Sequence, residues 1–252
     1  MATVITVTLR KGGSGKTTTA VNLASSLAKQ GKKTLLLDLD PQANATISLG
    51  IDPNITPHIT EVLTGAKTIA DAITSDPARG FDLIASNRQL AQIEATLASN
   101  PSEYANIIKS VISPLLPRYD YILIDTPPSE SMLTITALVA SDYALVPTQA
   151  HYLAMHGLEQ AIEMIQRVKD SYAPTLQILG IVPTMVQQGT NMATLFIEQV
   201  KETYPDMLLP YPVPHTIKIT ESQLAGVPIS EYEPNHPASH AYNQLANHII
   251  ER

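Results

Sequence analysis

The segment Arg10-Lys11-Gly12-Gly13-Ser14-Gly15-Lys16-Thr17-Thr18 has the residue types and spacing to hold phosphate. Its glycines let the backbone turn N–H groups inward, making a nest for anionic oxygens at the positive end of a helix. Lys16 is spaced to reach β- and γ-phosphates as a point charge, and the Thr17 hydroxyl to ligate Mg²⁺. Gly12, Gly13, Ser14, Gly15 and Thr18 complete the cradle. Three carboxylates supply the matching chemistry. Asp38 and Asp40 close one apolar run, which Pro41 stops, and Asp125 closes another, Tyr121-Ile122-Leu123-Ile124. A strand-end aspartate is how phosphoryl-transfer sites present a carboxylate to the metal. Asp38 has a second reading, capping the next turn, which strand-end aspartates often do.

The loop departs from the ordinary pattern G-x-x-x-x-G-K-[ST] at its first position, where Arg10 replaces glycine. A second lysine, Lys11, precedes the glycine pair instead. At the loop's start it is badly placed for the γ-phosphate of its own nucleotide. It is better placed for a nucleotide held by a facing subunit, as an arginine finger works in trans. His151 and His156 invite a catalytic reading, but phosphoryl transfer of this kind needs no histidine.

The elements that must position these groups are legible as apolar runs alternating with helical periodicity. Strands are expected at Val4–Leu9, Thr34–Leu37, Phe81–Ala85, Tyr121–Ile124, Ala144–Val146, Leu176–Val182 and Met207–Val213. Most are apolar without alternation, as strands buried on both faces read. Helices are expected at Thr17–Gln30, Pro101–Leu116, Leu153–Tyr172 and Ala238–Ile250. The alternation predicts an α/β fold, a mostly parallel twisted sheet with helices on both faces. No repeat or linker divides the 252 residues, so one domain over 1–252 is expected. Ligand crevices of such sheets open at the strands' C-terminal ends, and many of the 19 prolines fall there.

Composition excludes whole classes. With no cysteine, disulfides, thiolate metal sites and cysteine nucleophiles are absent. A net charge of -7 argues against a broadly basic nucleic-acid binder, though not against a local basic patch. No run approaches the roughly 20 apolar residues of a membrane span. Met1-Ala2-Thr3-Val4 has no basic-then-apolar leader, which sets a cytoplasmic expectation.

Lys-Gly-Gly-Ser-Gly-Lys-Thr-Thr resembles the deviant Walker A box of the ParA/MinD ATPases. Leu37-Asp38-Leu39-Asp40-Pro41-Gln42-Ala43-Asn44 resembles the ParA branch, and Soj-like members in particular. Further matches are Leu123-Ile124-Asp125-Thr126-Pro127-Pro128-Ser129, Val146-Pro147-Thr148-Gln149 and Ala238-Ser239-His240-Ala241-Tyr242, in the family's order. The resemblance implies a P-loop ATPase using ATP and Mg²⁺, with Asp125 on the metal through water and Asp40 orienting the attacking water. It implies Asp38 in the metal shell, and Gln42, Pro183, Met185, Val213 and Pro214 about the adenine pocket or dimer face. It also implies a homodimer when ATP-bound, nonspecific DNA binding, nucleoid association, and release by a ParB-like adaptor.

Alternatives stay open. The cargo is a plasmid, a chromosome or a protein organelle such as a carboxysome. A MinD-like membrane switch would end in a basic amphipathic helix, whereas Ile249-Ile250-Glu251-Arg252 reads as core. Amidoligases share fold and loop but lack the Lys11 and Asp-Pro-Gln pattern. Gly189 and His215 stand where chromosomal relatives usually carry arginine, so Lys218 is the nominated DNA contact, supported by Arg167, Lys169 and Lys201.

Overall fold

The computed structural model describes residues 1–55, 57–76, 78–151, 154–187 and 189–252. Among them, seven strands form one sheet: β1 Thr3–Val7, β2 Thr34–Asp38, β3 Ile73–Ser75, β4 Asp82–Ile84, β5 Tyr121–Asp125, β6 Tyr143–Gln149 and β7 Gln177–Thr184. Their spatial order is β3-β4-β2-β5-β1-β6-β7, and only β3 runs antiparallel to its neighbour. Apolar residues alternate between the two faces. Ile5, Val7, Leu36 and Leu123 pack with Leu23, Leu27, Tyr242 and Leu245 of the first and last helices. Val4, Leu35, Leu37, Ile122 and Ile124 pack on the opposite face with Ile108, Ile112 and Leu133. Every residue of β2 is buried, which is why the run never alternates in sequence.

The expected helices appear as Lys16–Lys29, Ala154–Ser171 and Pro237–Glu251, with Leu153 outside the described residues. Pro101–Leu116 is corrected. It breaks into Pro101–Tyr104, Ile107–Ile112 and a 3₁₀ turn at Ser113–Leu115. Pro114 lacks the N–H that an α-helix needs there.

The strand expected at Met207–Val213 is also corrected. This segment makes only isolated bridges, Ile181 with Leu208 and Val186 with Pro214. Pro210, Pro212 and Pro214 donate no backbone hydrogen bond, so no regular ladder continues beside β7. Ile249 is buried and Ile250 packs on the same core, as the sequence implied.

Candidate functional site

Four strand ends converge on one crevice: β1 feeds the glycine loop, β2 and β5 end in Asp38 and Asp125, and β7 ends in Thr184. A cavity of about 450 Å³ opens there, lined by Gly12, Gly13, Ser14, Gly15, Lys16, Thr17 and Thr18. The helix Lys16–Lys29 begins at Gly15 with no side-chain cap and no acidic residue in its first turn. Its first N–H groups are therefore left for an anion, and the helix dipole favours negative charge there. Gly13 and Gly15 have φ of 72° and 87°, a left-handed backbone that side chains rarely adopt.

Lys16 is buried, and its Nζ donates to the Lys11 carbonyl at 3.3 Å. Burial lowers its pKa, while Asp125 and Asp40 oppose that shift. Lys11 is exposed, does not line the cavity, and approaches Gly157 of the helix Ala154–Ser171. The two loop lysines are thus separated, one inside and one outside.

The carboxylates differ in kind. Asp125 is fully buried, and neither oxygen makes a well-formed hydrogen bond among the described residues. Burial pushes its carboxyl well above the usual range, and Asp38 adds to that, while Thr17 and Lys16 partly offset it. Asp38 is equally buried, but Thr46 donates to its Oδ2 from both N (2.9 Å) and Oγ1 (2.7 Å), and the Asp40 amide donates to Oδ1. Burial raises it to about 6 against those bonds. This is the capping arrangement; neither Asp38 nor Asp125 lines the cavity itself. Asp40 does, with Oδ1 accepting from the Gln42 amide at 2.9 Å.

Orphaned oxygens on Asp125 beside Thr17 fit a Mg²⁺ ion. Among the described residues no cluster of three or more acids or histidines could hold a metal alone. Such an ion therefore needs phosphate oxygens for the rest of its shell.

Met185, Val213 and Pro214 come together beside the phosphate loop in an adjoining pocket of about 180 Å³ with Thr18 and Tyr242. Gln42 lines a different cleft from the phosphate cavity, beside the left-handed Ala43 (φ 55°). Pro183 lies in β7 and lines an apolar groove elsewhere. His156 is exposed and bonded to Gln160.

Lys218 is partly exposed at the surface. Its Nζ sits 2.9 Å from Glu221 and 3.6 Å from Glu233, and over the Tyr232 ring. Those acids pair with it at the surface, where ion pairs are weak. Arg167 is paired with Glu130, whereas Lys169 and Lys201 make no ion pair among the described residues. Gly189 is described, but Gln188 beside it lies outside the described residues.

Sequence reasoning missed Thr184, which donates to the Ser14 carbonyl at 2.8 Å and lies against Gly15. It also missed the helix Ile217–Leu224, which brings Thr220, Gln223 and Leu224 to the cavity. Gln223 donates to Thr18 Oγ1 at 3.3 Å.

A family model described as an AAA domain matches residues 2–178. The chain is 35% identical to the chromosome partitioning protein ParA of Myxococcus xanthus, over 99% of this chain and 88% of that one. It belongs to the ParA-type ATPases.

Two solved structures resemble this ATPase over 99% of its length. McdA from Cyanothece in complex with ATP superposes with a TM-score of 0.89 at 26% identity, over 96% of that chain. A cobyrinic acid a,c-diamide synthase from Mycobacterium smegmatis, holding an ATP analogue and magnesium, gives 0.87 at 30% identity over 95% of its chain.

Proposed function

We propose that this ATPase is a single-domain positioning motor that segregates DNA cargo through an ATP-held dimer. ATP phosphates enter the nest at Gly12–Thr18, Lys16 turns from the Lys11 carbonyl to the phosphates, and Thr17 with Asp125 holds Mg²⁺. The metal, when bound, neutralises charge at the phosphate oxygens. Asp40, in the cavity wall, orients the attacking water. Met185, Val213 and Pro214 flank the base. Hydrolysis is slow until an adaptor stimulates it.

The observation that carries the reading is the separation of the lysines: Lys16 is buried in the cavity wall while Lys11 is exposed outside it. An exposed cation at the mouth of a phosphate site suits the nucleotide of a facing copy, because opposed phosphates need cations from both sides. The dimer binds DNA without reading sequence, through phosphate contacts. Lys201 and Lys169 supply them better than Lys218, and the complex is nucleoid-associated in the cytoplasm.

Sedimentation with a nonhydrolysable ATP analogue tests this. Wild type should dimerise and Lys11→Ala should not, while Asp40→Ala should keep ATP and the dimer but lose turnover. A Lys11→Ala chain that dimerises like wild type overturns the reading. The likeness to a diamide synthase defines a rival, ATP-dependent amide formation. Phosphate release that requires an added carboxylic acid and amine, and ignores DNA, would favour it. A protein organelle is the other cargo, which full ATPase cycling without any DNA affinity would favour.

A further inference from the structure

The helices Ile217–Leu224 and Pro237–Glu251 both reach the pocket of about 180 Å³ beside the phosphate loop. The first brings Ile219, Gln223 and its cap Thr216, and the second brings Tyr242. One histidine ties their starts together. His236 caps the second helix, with Nδ1 accepting from the Ala238 amide at 3.1 Å. A ring nitrogen that accepts carries no proton, so the neutral ring holds its proton on Nε2. Nε2 lies 3.2 Å from Thr216 Oγ1 and therefore donates to it.

Thr216 in turn caps the first helix, its Oγ1 accepting from the Lys218 amide at 3.2 Å. A hydroxyl has two lone pairs and one proton. His236 and Lys218 occupy both lone pairs, which leaves Thr216 a donor only, on the pocket wall. Without the ring, the same hydroxyl could turn to donate or to accept. The histidine thus sets what the threonine can recognise, a hydrogen-bond acceptor, although His236 does not line the pocket itself.

The two ends of the first helix are held by different contacts. Near its C-terminal end, Gln223 Nε2 donates to Thr18 Oγ1 on the phosphate-binding helix at 3.3 Å. At its start stands the bond from His236 to Thr216. The phosphate end of the site is therefore positioned separately from the far end of the pocket.

We propose that His236 is a positioning residue for the nucleoside: through Thr216 it fixes the start of this helix and presents a donor to a lone-pair atom of the base. This rests on the base-pocket reading above, in which Met185, Val213 and Pro214 flank the base.

Two substitutions divide the two bonds of the ring. His236→Ser retains a helix cap but is too short to reach Thr216. His236→Gln keeps an Nε2 donor for Thr216 and gives up the cap at Ala238. Calorimetric titration with Mg²⁺-ATP and with Mg²⁺-tripolyphosphate, which lacks the nucleoside, separates the two ends of the site.

Wild type should prefer ATP, and nitrogen NMR should show its His236 ring protonated on Nε2. His236→Ser should lose roughly threefold to tenfold of that preference, through ATP alone, as one net hydrogen bond predicts. Its denaturant midpoint should stay near wild type. His236→Gln should keep the preference and unfold at lower denaturant. An unchanged preference in His236→Ser, or one that falls with the midpoint in His236→Gln, makes the histidine a cap alone and overturns the proposal. A neutral ring protonated on Nδ1 overturns it as well. Wild type that binds ATP and tripolyphosphate alike would sink the base-pocket reading, and the proposal with it.

Discussion

Asp38 and Asp125 occupy the same register position on the neighbouring parallel strands β2 and β5, and both are fully buried. Partners in register present their side chains to the same face. The two carboxyls therefore raise each other's cost of ionisation, on top of the larger cost of burial. Thr46 relieves Asp38, while Asp125 is left for the metal.

That pair sets a pH dependence opposite to the usual one for carboxylates. Burial raises the Asp38 carboxyl from the ordinary 3.8 to about 6, and raises Asp125 well above its ordinary value. Between those values the folded state binds more protons, so its stability falls as pH rises. Nucleotide-free protein should gain urea resistance as pH drops from 7 toward 5, and Asp125→Asn should flatten the trend. A midpoint that falls over this range in wild type contradicts the assignment.

Thr184→Val keeps the shape against Gly15 but removes the donor to the Ser14 carbonyl. An unsatisfied buried acceptor costs about 1–3 kcal/mol. Some of that should appear as misplacement of the loop, weakening ATP binding on the order of tenfold. Calorimetric titration with ATP measures it, and an unchanged Kd would remove Thr184 from the site.

Gly226 has φ of +73°, and a Cβ there would lie 3.0 Å from the Gly50 Cα. This contact joins the turn after Asn44–Ser48 to the turn after Ile217–Leu224, two helices that line the cavity. Gly226→Ala should lower stability by about 1–3 kcal/mol, from backbone strain and steric conflict together. The denaturant midpoint should fall with an unchanged m-value, which separates lost stability from a changed denatured state.

DNA binding distinguishes the lysines. Lys218 is paired with Glu221 and Glu233, so Lys218→Ala should leave affinity of the ATP-loaded dimer nearly unchanged. Lys201→Ala removes a cation with no ion pair from each subunit. Each lost phosphate contact contributes about 0.9 to the salt slope, so the dimer should lose about two units. Filter binding across a salt series reads both. A large loss with Lys218→Ala alone would reinstate that residue.

The phosphate loop, the carboxylates and the buried strands were legible because each is written in contiguous residues. Gly-Lys-Thr follows one strand and opens one helix, and Tyr-Ile-Leu-Ile-Asp is a strand with its ligand attached. The helix Ile217–Leu224 was illegible for the opposite reason. It is only eight residues long, turns Ile217 and Leu224 outward and buries only Ser222, so its apolar residues mark no buried face.

Residue types by themselves determined which groups can bind phosphate, and that strand ends would carry them. Which aspartate is free and which is held was decided only by tertiary structure. Asp38 is held by two hydrogen bonds from Thr46, whereas Asp125 has only the Thr17 hydroxyl and the Lys16 cation beside it. The same holds for Lys218, which pairs partly with Glu233, fifteen residues along the chain. Spacing specifies a side chain's chemistry, but its partners come from parts of the chain that only folding brings near, and those partners set its charge and its freedom to act.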